Sequence, residues 1–305
     1  MERPPPQGLV IRIAEDPDID EVAALLGAAD DARLVSPEAV RHWRETRLER
    51  GRIIDVVAEL DGVIVGAGGG GFDTSTSSGG AGWAFVTVRE EHRRRGIGDA
   101  LGSRLLDHLH SIGATKATSF IRWTEEGERW ALARGWSRVL TGPLIAVDPR
   151  GMPEPSPPAG FRCVAMAEVS PEAAYEAVRE AVLDEPSPVP HDDFRFDQFL
   201  REWEDPDLDR DASTAVLDES GRVAAFAFIN VVGERGQHGF TGTVREYRGR
   251  GLATAAKRRA LHAAGARGVA RVTTSNAEEN AAMRAINLKL GFEPIGEHVI
   301  LARDL

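Results

Sequence analysis

The feature of this chain that most constrains its fold is an internal repeat of an arginine- and glycine-rich segment. Residues 90–102 read EEHRRRGIGDALG, and residues 245–257 read REYRGRGLATAAK. When Gly96 is aligned with Gly251, the two segments match without a gap at an offset of 155 residues, about half of the 305-residue chain. The repeat predicts two copies of one domain, each of an ordinary domain size of roughly 100–150 residues.

A proline-rich stretch falls where such a duplication needs a boundary. Residues 147–160, VDPRGMPEPSPPAG, contain five prolines and two glycines and can sustain neither a helix nor a central strand. The predicted organisation is therefore an N-terminal domain over 1–148, a linker over 149–159 and a C-terminal domain over 160–305.

Each half shows the same order of strand and helix patterns. An opening strand, two helices and a strand pair lead to a fourth strand, which runs into the arginine–glycine segment and a long helix. A fifth strand, another helix and a closing strand pair follow. This order predicts an α+β fold with a mixed, mostly antiparallel sheet flanked by helices, twice over. The glycine- and serine-rich residues 66–82 have no counterpart and are expected to form a flexible hairpin loop.

Composition and charge exclude several classes of function. The net charge of −11 argues against nucleic-acid binding, which needs a cationic surface. No apolar run approaches the roughly 20 residues of a membrane helix. The polar, proline-rich start is unlike a signal peptide, and the single Cys163 forbids an internal disulfide, so a cytoplasmic protein is expected.

One segment of the C-terminal half is strongly acidic. Residues 184–211 hold eleven acidic residues against three arginines. Such a segment is either a solvated surface loop or the mouth of a site that attracts a cationic substrate.

The two arginine–glycine segments have the composition of a phosphate-binding loop. A glycine-rich turn from strand to helix directs backbone N–H groups, and the positive end of the helix dipole, at one point. Arginine adds a planar fork that suits phosphate oxygens. Both segments are therefore predicted to hold a pyrophosphate, through Arg93, Arg94, Arg95, Gly96, Ile97 and Gly98 in one and Arg248, Gly249, Arg250, Gly251, Leu252 and Ala253 in the other.

These loops resemble the acyl-CoA-binding loop, R/Q-x-x-G-x-G/A, of the GNAT superfamily of N-acyltransferases. The order of elements in each half is similar to that fold, and residues 273–292, TTSNAEENAAMRAINLKLGF, resemble its fifth strand and fourth helix. The resemblance therefore covers nearly the whole chain as a tandem pair. It is specific in the C-terminal half. In the N-terminal half it is good in the loop and weak afterwards.

The resemblance implies that acetyl-CoA is the acyl donor and that no metal is needed. In such proteins the fourth and fifth strands separate, and the pantetheine arm lies between them against fourth-strand backbone. That position corresponds to Val86 and Val88 in the first copy and to Thr241 and Thr243 in the second. One of Asn276 and Asn280 is expected to cap the following helix, while the other reaches the pantetheine amides.

The catalytic groups are harder to assign. In many family members the acid is a tyrosine on the fourth helix, and the matching residue here is Asn287, which cannot donate a proton as an acid would. Asn287 is instead expected to bind the sulfur region or a water, so the acid stays open. For the base, we expect His238 on the fourth strand, with Glu234 in the preceding turn, although an exposed structural histidine is an equal alternative. Because Trp83 stands at the position of His238 in the first copy, we expect the C-terminal half to catalyse and the N-terminal half to be an accessory copy.

The predicted function is acetyl-CoA-dependent acetylation of the primary amine of a small, cationic molecule. Two alternatives stay open: a CoA-binding regulatory or scaffold protein without turnover, and an acetyltransferase that acts on protein lysines or N-termini. The sequence leaves open the acceptor, acyl groups other than acetyl, and the oligomeric state.

Overall fold

The computed structural model describes residues 4–30 and 32–305. The chain divides into two compact units. The N-terminal unit contains the described residues of Met1–Thr141 together with Pro188–Pro190 and His298–Leu305, and the C-terminal unit contains Gly142–Ser187 and His191–Glu297.

The first half of the chain follows the predicted order of elements. In chain order these are β1 Leu9–Ile13, α1 Ile19–Ala29, α2 Pro37–Glu45, β2 Ile54–Leu60, β3 Val63–Phe72, β4 Ala81–Val88, α3 Ile97–Ile112, β5 Lys116–Arg122, α4 Glu125–Leu132 and β6 Ser137–Val147.

The second half repeats this order. Its elements are β7 Phe161–Ala165, α5 Pro171–Val182, α6 Phe196–Trp203, β8 Thr214–Asp218, β9 Val223–Val232, β10 Arg235–Thr243, α7 Leu252–Ala266, β11 Arg271–Ser275, α8 Ala281–Lys289 and β12 Glu293–Asp304.

The sheet of the N-terminal unit has the order β1-β2-β3-β4-β5-β12. All pairs except β4 with β5 are antiparallel, and β12 contributes only its last residues, His298–Asp304, opposite Lys116–Arg122. The sheet of the C-terminal unit has the order β6-β11-β10-β9-β8-β7, in which β10 and β11 are parallel and β6 contributes Leu144–Val147. The α+β prediction is confirmed.

The closing strand pair expected in each half is instead one long strand. All of β6 belongs to the first half of the sequence, yet Leu144–Val147 pair with β11 of the C-terminal unit. Likewise, the end of β12 pairs with β5 of the N-terminal unit. Each unit therefore receives its sixth strand from the other half of the sequence, and hydrophobic periodicity cannot reveal this because it does not specify a strand's partner.

The prediction that residues 66–82 form a flexible loop is wrong for most of its glycines. Gly66–Gly71 are buried in β3, and the irregular connection starts only at Asp73. A Cβ at Gly66 would lie 2.9 Å from the Thr87 carbonyl oxygen and 3.0 Å from Leu101 of α3. The glycines are therefore needed because α3 packs directly on the backbone of this strand.

The long helix after each arginine–glycine loop packs through a narrow apolar stripe, as its periodicity predicts. In α3 the stripe is fully buried, with Ile97, Leu101, Leu105 and Leu109 no more than 1% exposed. In α7 smaller residues, including Leu252, Ala256 and Ala260, are equally buried. Both stripes hold the helix against the sheet, so the loop before it has a fixed position.

The proline-rich segment forms no helix or strand and lies against α7. The Met152 carbonyl oxygen is 2.8 Å from Nδ1 of His262, and Met152 packs against the apolar core. A Cβ at Gly265 would lie 2.3 Å from the Pro149 carbonyl oxygen, so glycine permits this close approach. Within residues 4–30 and 32–305, no helix is long and apolar enough to cross a membrane.

Candidate active site

The two arginine–glycine loops have the same backbone conformation. Each follows a 3-10 turn, Glu90–His92 or Arg245–Tyr247. The next residue is extended in both copies, with φ of −65° at Arg93 and −62° at Arg248. The helix then begins after a glycine with φ of 78°, Gly96 or Gly251. The duplication therefore extends to individual backbone angles.

The loop of the C-terminal unit is open to a ligand. The first backbone hydrogen bond of α7 runs from the Ala255 N–H to the Gly251 carbonyl, and across the described chain the N–H groups of 249–254 donate no other backbone bond. Nothing lies within 4 Å of a Cβ built on Gly249 or Gly251. Unpaired N–H groups at a helix N-terminus form an anion site, and here nothing covers them.

The arginines of this loop are held by a carboxylate. Arg248 donates from Nε to the Thr243 carbonyl (3.1 Å) and from its terminal nitrogen to Asp184 (2.6 Å), which also accepts from Arg245 (2.7 Å). The hydrogen bonds from Arg245 and Arg248 lower the pKa of Asp184 to about 2. Asp184 thus occupies the guanidinium groups with an anion, as a phosphate would.

Strands β10 and β11 separate beside this loop. Their parallel pairing covers only Arg235–Gln237 opposite Arg271–Thr273, and a bulge follows between His238 and Thr241. Thr241 and Thr243, predicted to contact pantetheine, lie beyond the bulge and pair with β9 on their other side. We call the space between the diverging strands the C-terminal wedge. Thr241 Oγ1 is buried there without a hydrogen-bond partner.

Of the two interpretations of His238, the exposed structural histidine is wrong, since only 3% of this residue is exposed. Its Nδ1 lies 3.0 Å from the Phe228 carbonyl oxygen, so Nδ1 carries the proton, and Nε2 is buried without a partner. Burial, and then the charge of Lys257, lower the pKa of His238 well below its ordinary value. The imidazole is therefore neutral at pH 7, with an unpaired lone pair on Nε2.

Lys257 is a buried residue that the sequence analysis missed. It lies on α7, is 1% exposed, and its ammonium group is 5.4 Å from the centre of the Phe292 ring. Burial lowers the pKa of Lys257 to about 7. The only sequence signal was a lysine directly after the apolar residue Ala256, a pattern that a solvated helix face shows equally.

The three asparagines have separate roles. Asn280 caps α8, because its side chain accepts from the Met283 N–H (3.1 Å). Asn287 is 1% exposed and donates from Nδ2 to Oδ1 of Asn276 (2.5 Å), while its own Oδ1 is buried without a partner. The cap predicted for one of Asn276 and Asn280 thus belongs to Asn280, and Asn276 orients Asn287.

Glu234 is not brought to His238. It lies in the exposed turn that precedes β10, four residues from His238, which is about 13 Å along a strand at 3.3 Å per residue. The turn is at the end where β10 and β11 are paired, since Arg235 pairs with Arg271. The structure therefore separates the two residues proposed to share the role of base.

The backbone of Asn276 packs directly against Gly142. A Cβ at Gly142 would lie 2.0 Å from the Asn276 carbonyl oxygen and 2.7 Å from its carbonyl carbon, so backbone must move. We expect Gly142→Ala to destabilise the protein by about 1–3 kcal/mol, the usual cost of overpacking. Urea unfolding measures this. The control is Gly27→Ala in α1, where nothing lies within 4 Å; equal midpoints for both variants would contradict the prediction.

The N-terminal unit has a second wedge of the same design. Strands β4 and β5 pair only from Ala81–Trp83 opposite Lys116–Thr118 and then diverge. Val86 and Val88 lie beyond that point, with side chains packed on the α3 core. Arg93 repeats the bond of Arg248, from Nε to a strand carbonyl, that of Val88 (3.2 Å). We call this space the N-terminal wedge.

The two loops differ in what lies beside the helix. Asp99, in the first turn of α3, accepts from Trp130 (2.9 Å) and forms an ion pair with Arg134. The Trp130 ring fills the space beside Gly98 and Gly102. At an offset of 155, Thr254 and Lys257 stand in place of Asp99 and Gly102. Arg134 compensates the charge of Asp99, so the start of α3 is not left anionic.

The acidic segment, residues 184–211, lies beside a pocket of the C-terminal unit, and several of its carboxylates form ion pairs. The pocket has a volume of about 660 Å³ and extends from α5 to Val244 at the end of β10. Its lining combines four carboxylates with three guanidinium groups: Glu176, Glu180, Asp192, Asp193, Arg179, Arg195 and Arg222. Ion pairs join Asp193 to Arg195 and Asp209 to Arg267. The local acidic excess is therefore smaller than the sequence suggests.

Across the described ranges 4–30 and 32–305, no group of three or more His, Cys, Asp or Glu side chains is placed to hold a metal ion.

Comparisons with known proteins agree with this geometry. The model of the acetyltransferase (GNAT) family matches residues 20–133 and again 175–292. A GCN5-related N-acetyltransferase from Sphaerobacter thermophilus is 20% identical, with a TM-score of 0.73 over 99% of this chain and 97% of that one. The tandem GNAT protein from the clavulanic acid biosynthesis pathway is 21% identical, with a TM-score of 0.74 over 97% and 98%. Comparison with curated proteins gave no match.

A repeated strand–loop–helix with an open anion site beside diverging parallel strands defines an acyltransferase of tandem architecture. The chain belongs to the acetyltransferase (GNAT) family, with one family domain in each half.

Proposed function

We propose that this protein transfers an acetyl group from acetyl-CoA to the primary amine of a small molecule, and that the C-terminal unit performs this reaction. The observation that carries the proposal is the arginine–glycine loop at Arg248–Gly251, whose unpaired N–H groups and two glycines with positive φ leave room for a pyrophosphate. The wedge beside it fits a pantetheine arm, because the buried Oγ1 of Thr241 and Oδ1 of Asn287 have no partner within the chain.

Binding of the pyrophosphate would release Arg245 and Arg248 from Asp184. Asp184 holds Arg248 and Arg245 in the structure described here, so a pyrophosphate must compete with that carboxylate. Both contacts are solvent-exposed, and exposed ion pairs contribute about 0–1 kcal/mol each. The competition is therefore weak, and Asp184 sets the arginines in position at little cost.

The chemistry needs a base for the amine and a donor for the oxyanion. His238 is proposed as the base, since its neutral imidazole has an unpaired Nε2 and stands immediately before the β10 bulge. A backbone N–H of the bulge is proposed as the donor, because the bulge residues have no partner in the β9 register. A cationic acceptor is consistent with the slight excess of carboxylates lining the pocket of about 660 Å³.

The test is an acetyl-transfer assay read by mass spectrometry of the product. Acetyl-CoA is offered with small cationic amines, neutral amines and a lysine-containing peptide. Acetylation of small amines supports the proposal, and a preference for cationic ones supports the acceptor class. Acetylation of the peptide alone would favour a protein acceptor, and binding of acetyl-CoA without any product would favour a scaffold role; either result contradicts the proposal.

His238→Asn tests the base. The asparagine amide keeps a donor at the position of Nδ1 for the Phe228 carbonyl and removes Nε2. We expect kcat to fall by about 10²–10⁴-fold, the usual contribution of a general base, with the KM for acetyl-CoA unchanged. Steady-state kinetics with the preferred amine measures both constants. Wild-type kcat in a folded His238→Asn variant would remove His238 from the mechanism.

A further inference from the structure

The N-terminal unit contains a buried histidine–carboxylate pair that the reaction proposed above does not use. His298, on β12, lies with its Nε2 2.8 Å from Oδ2 of Asp30, the residue that follows α1. His298 is only 3% exposed, and the Asp30 side chain is 14% exposed. The other oxygen of Asp30 accepts from the Ala32 N–H (3.0 Å), so the carboxylate is held from both sides.

The pair leaves one nitrogen of the imidazole available. Burial raises the pKa of Asp30, but the hydrogen bond and charge of His298 outweigh it and the net pKa is lowered. Asp30 is therefore an anion, and it accepts a hydrogen bond from Nε2–H of His298. Nδ1 is buried and has no hydrogen-bond partner among the residues of 4–30 and 32–305. Structural histidines rarely leave a buried nitrogen unpaired, because the loss of hydration is not compensated.

The register places this pair at the wedge. Trp83 pairs with Thr118, the last pair before β4 and β5 diverge. Since side chains alternate along a strand, Phe85 and Phe120, each two residues further on, point to the same face. His298 pairs with Arg122, so it shares that face, and its ring contacts Phe120 edge to face at 4.6 Å. Phe120 is 56% exposed, so two aromatic side chains flank the opening.

A guanidinium group lies over one of these rings. The guanidinium group of Arg33 stands 5.3 Å from the centre of the Phe85 ring, while the Arg33 backbone N–H donates to the Asp30 carbonyl (2.9 Å). Its charge interacts with Asp30, as does that of Arg122. His298 thus contacts one carboxylate and one aromatic ring, and two guanidinium groups interact with that carboxylate. This environment disfavours a purely cationic ligand and suits one that carries a carboxylate.

The pair is not inherited from the duplication. At the offset of 155, His298 corresponds to Pro143 and Asp30 to Glu185. The C-terminal wedge therefore has no such pair, and the two units are equipped differently.

We propose that the N-terminal wedge is a second acceptor site, in which His298 and Asp30 act as general base toward an amino acid with an aromatic or large apolar side chain. The carboxylate of the ligand pairs with Arg33, its side chain packs between Phe85 and Phe120, and its amine faces His298. This proposal rests on the function proposed above, because the acyl donor is again acetyl-CoA, held at Arg93–Gly98.

Acetyl transfer to the amine forms one bond and breaks another. The amine nitrogen forms a bond to the acyl carbon, the carbon–sulfur bond breaks, and the electron pair leaves with sulfur as the thiolate. The proton released by the nitrogen passes to Nδ1 of His298, and Asp30 stabilises the imidazolium through Nε2–H. The imidazolium then returns its proton to the thiolate or to water, which regenerates the neutral base.

Gly251→Glu enzyme, which lacks the C-terminal donor site, is the background for the test. In it, L-phenylalanine is compared with phenethylamine, which lacks the carboxylate, and with alanine, which lacks the ring. We expect L-phenylalanine to be the preferred acceptor. His298→Gln, whose amide keeps the bond to Asp30 and removes Nδ1, should lower kcat at least 100-fold and leave KM unchanged.

A binding measurement separates the site from the chemistry. Calorimetric titration of L-phenylalanine into the enzyme without acetyl-CoA should show binding that Arg33→Met weakens at least tenfold and His298→Gln does not. Wild-type activity in His298→Gln, or no binding of L-phenylalanine to wild type, would overturn the second site. Failure of the proposed function has a different signature: wild type then acetylates no small amine, whereas calorimetry still reports whether L-phenylalanine binds.

Discussion

Gly251→Glu is expected to remove one of two acetyl-CoA sites from the chain. Calorimetric titration should give two equivalents for wild type and one for the variant, with affinity at the altered loop lowered at least about 100-fold, or roughly 3 kcal/mol. The reason is electrostatic. The new carboxylate would lie at the N-terminus of α7, where a Cβ on Gly251 has no atom within 4 Å. There it would occupy the position in which the unpaired N–H groups bind an anion.

Gly251→Ala is the matched control for this variant. Gly251 has φ of 78°, so any side chain there costs about 1–2 kcal/mol of backbone strain, and alanine carries that strain without the charge. We expect Gly251→Ala to bind acetyl-CoA within tenfold of wild type. Gly96→Glu should remove the other equivalent. Equal binding by wild type and Gly251→Glu would mean that no pyrophosphate lies on this loop.

Lys257→Met is expected to stabilise the protein. The folded state lowers the pKa of Lys257 from 10.5 to about 7, so the unfolded chain binds this proton more tightly. The cost to stability is complete below pH 7 and disappears as the pH rises from 7 to about 10.5. At about 1.4 kcal/mol per pKa unit, removing the amine should add on the order of 4 kcal/mol at pH 7.

Urea unfolding at pH 7 and pH 9.5 tests this prediction. The free energy of unfolding of wild type should rise relative to that of Lys257→Met as the pH increases. Only wild type has the buried Lys257 ammonium group, and its loss of a proton removes the cost of burying a charge. Lys289→Met is the control, since Lys289 is exposed on α8 and its removal should change stability by less than about 0.5 kcal/mol. A Lys257→Met variant less stable than wild type at pH 7 would show that contacts of the ammonium group outweigh its burial.

Much of the fold and of the donor site could be predicted because both depend on local patterns. The four-residue repeat of Ile97, Leu101, Leu105 and Leu109 identified α3, and all four residues are buried. Glycines beside arginines before a helix indicated the loop, since positive φ and close approach of a ligand require glycine wherever they occur. At Arg94 the same conformation occurs without glycine, with φ of 59°, which no spacing rule indicates.

The roles of the remaining residues depend on tertiary contacts, which local sequence patterns do not specify. His238 has its environment because α7 covers it with Lys257, and Glu234 is separated from it by the length of a strand. Asn276 and Asn280 looked equivalent along the chain, but only Asn280 has the geometry of a cap. The glycines of β3 looked like a loop because periodicity cannot show that a helix packs on the strand.

The sequence by itself determined that the chain is a duplicated domain with an anion-binding loop in each copy, because a repeat, an apolar stripe and a glycine turn are properties of neighbouring residues; the resemblance to the GNAT superfamily supplied the acetyltransferase activity. Only the tertiary structure decided which residues share a wedge. His298 lies 268 residues from Asp30, and β12 brings them to 2.8 Å because its last residues pair with β5. Strand pairing depends on the packing of whole sheets, so the sequence near either residue does not predict the contact between His298 and Asp30.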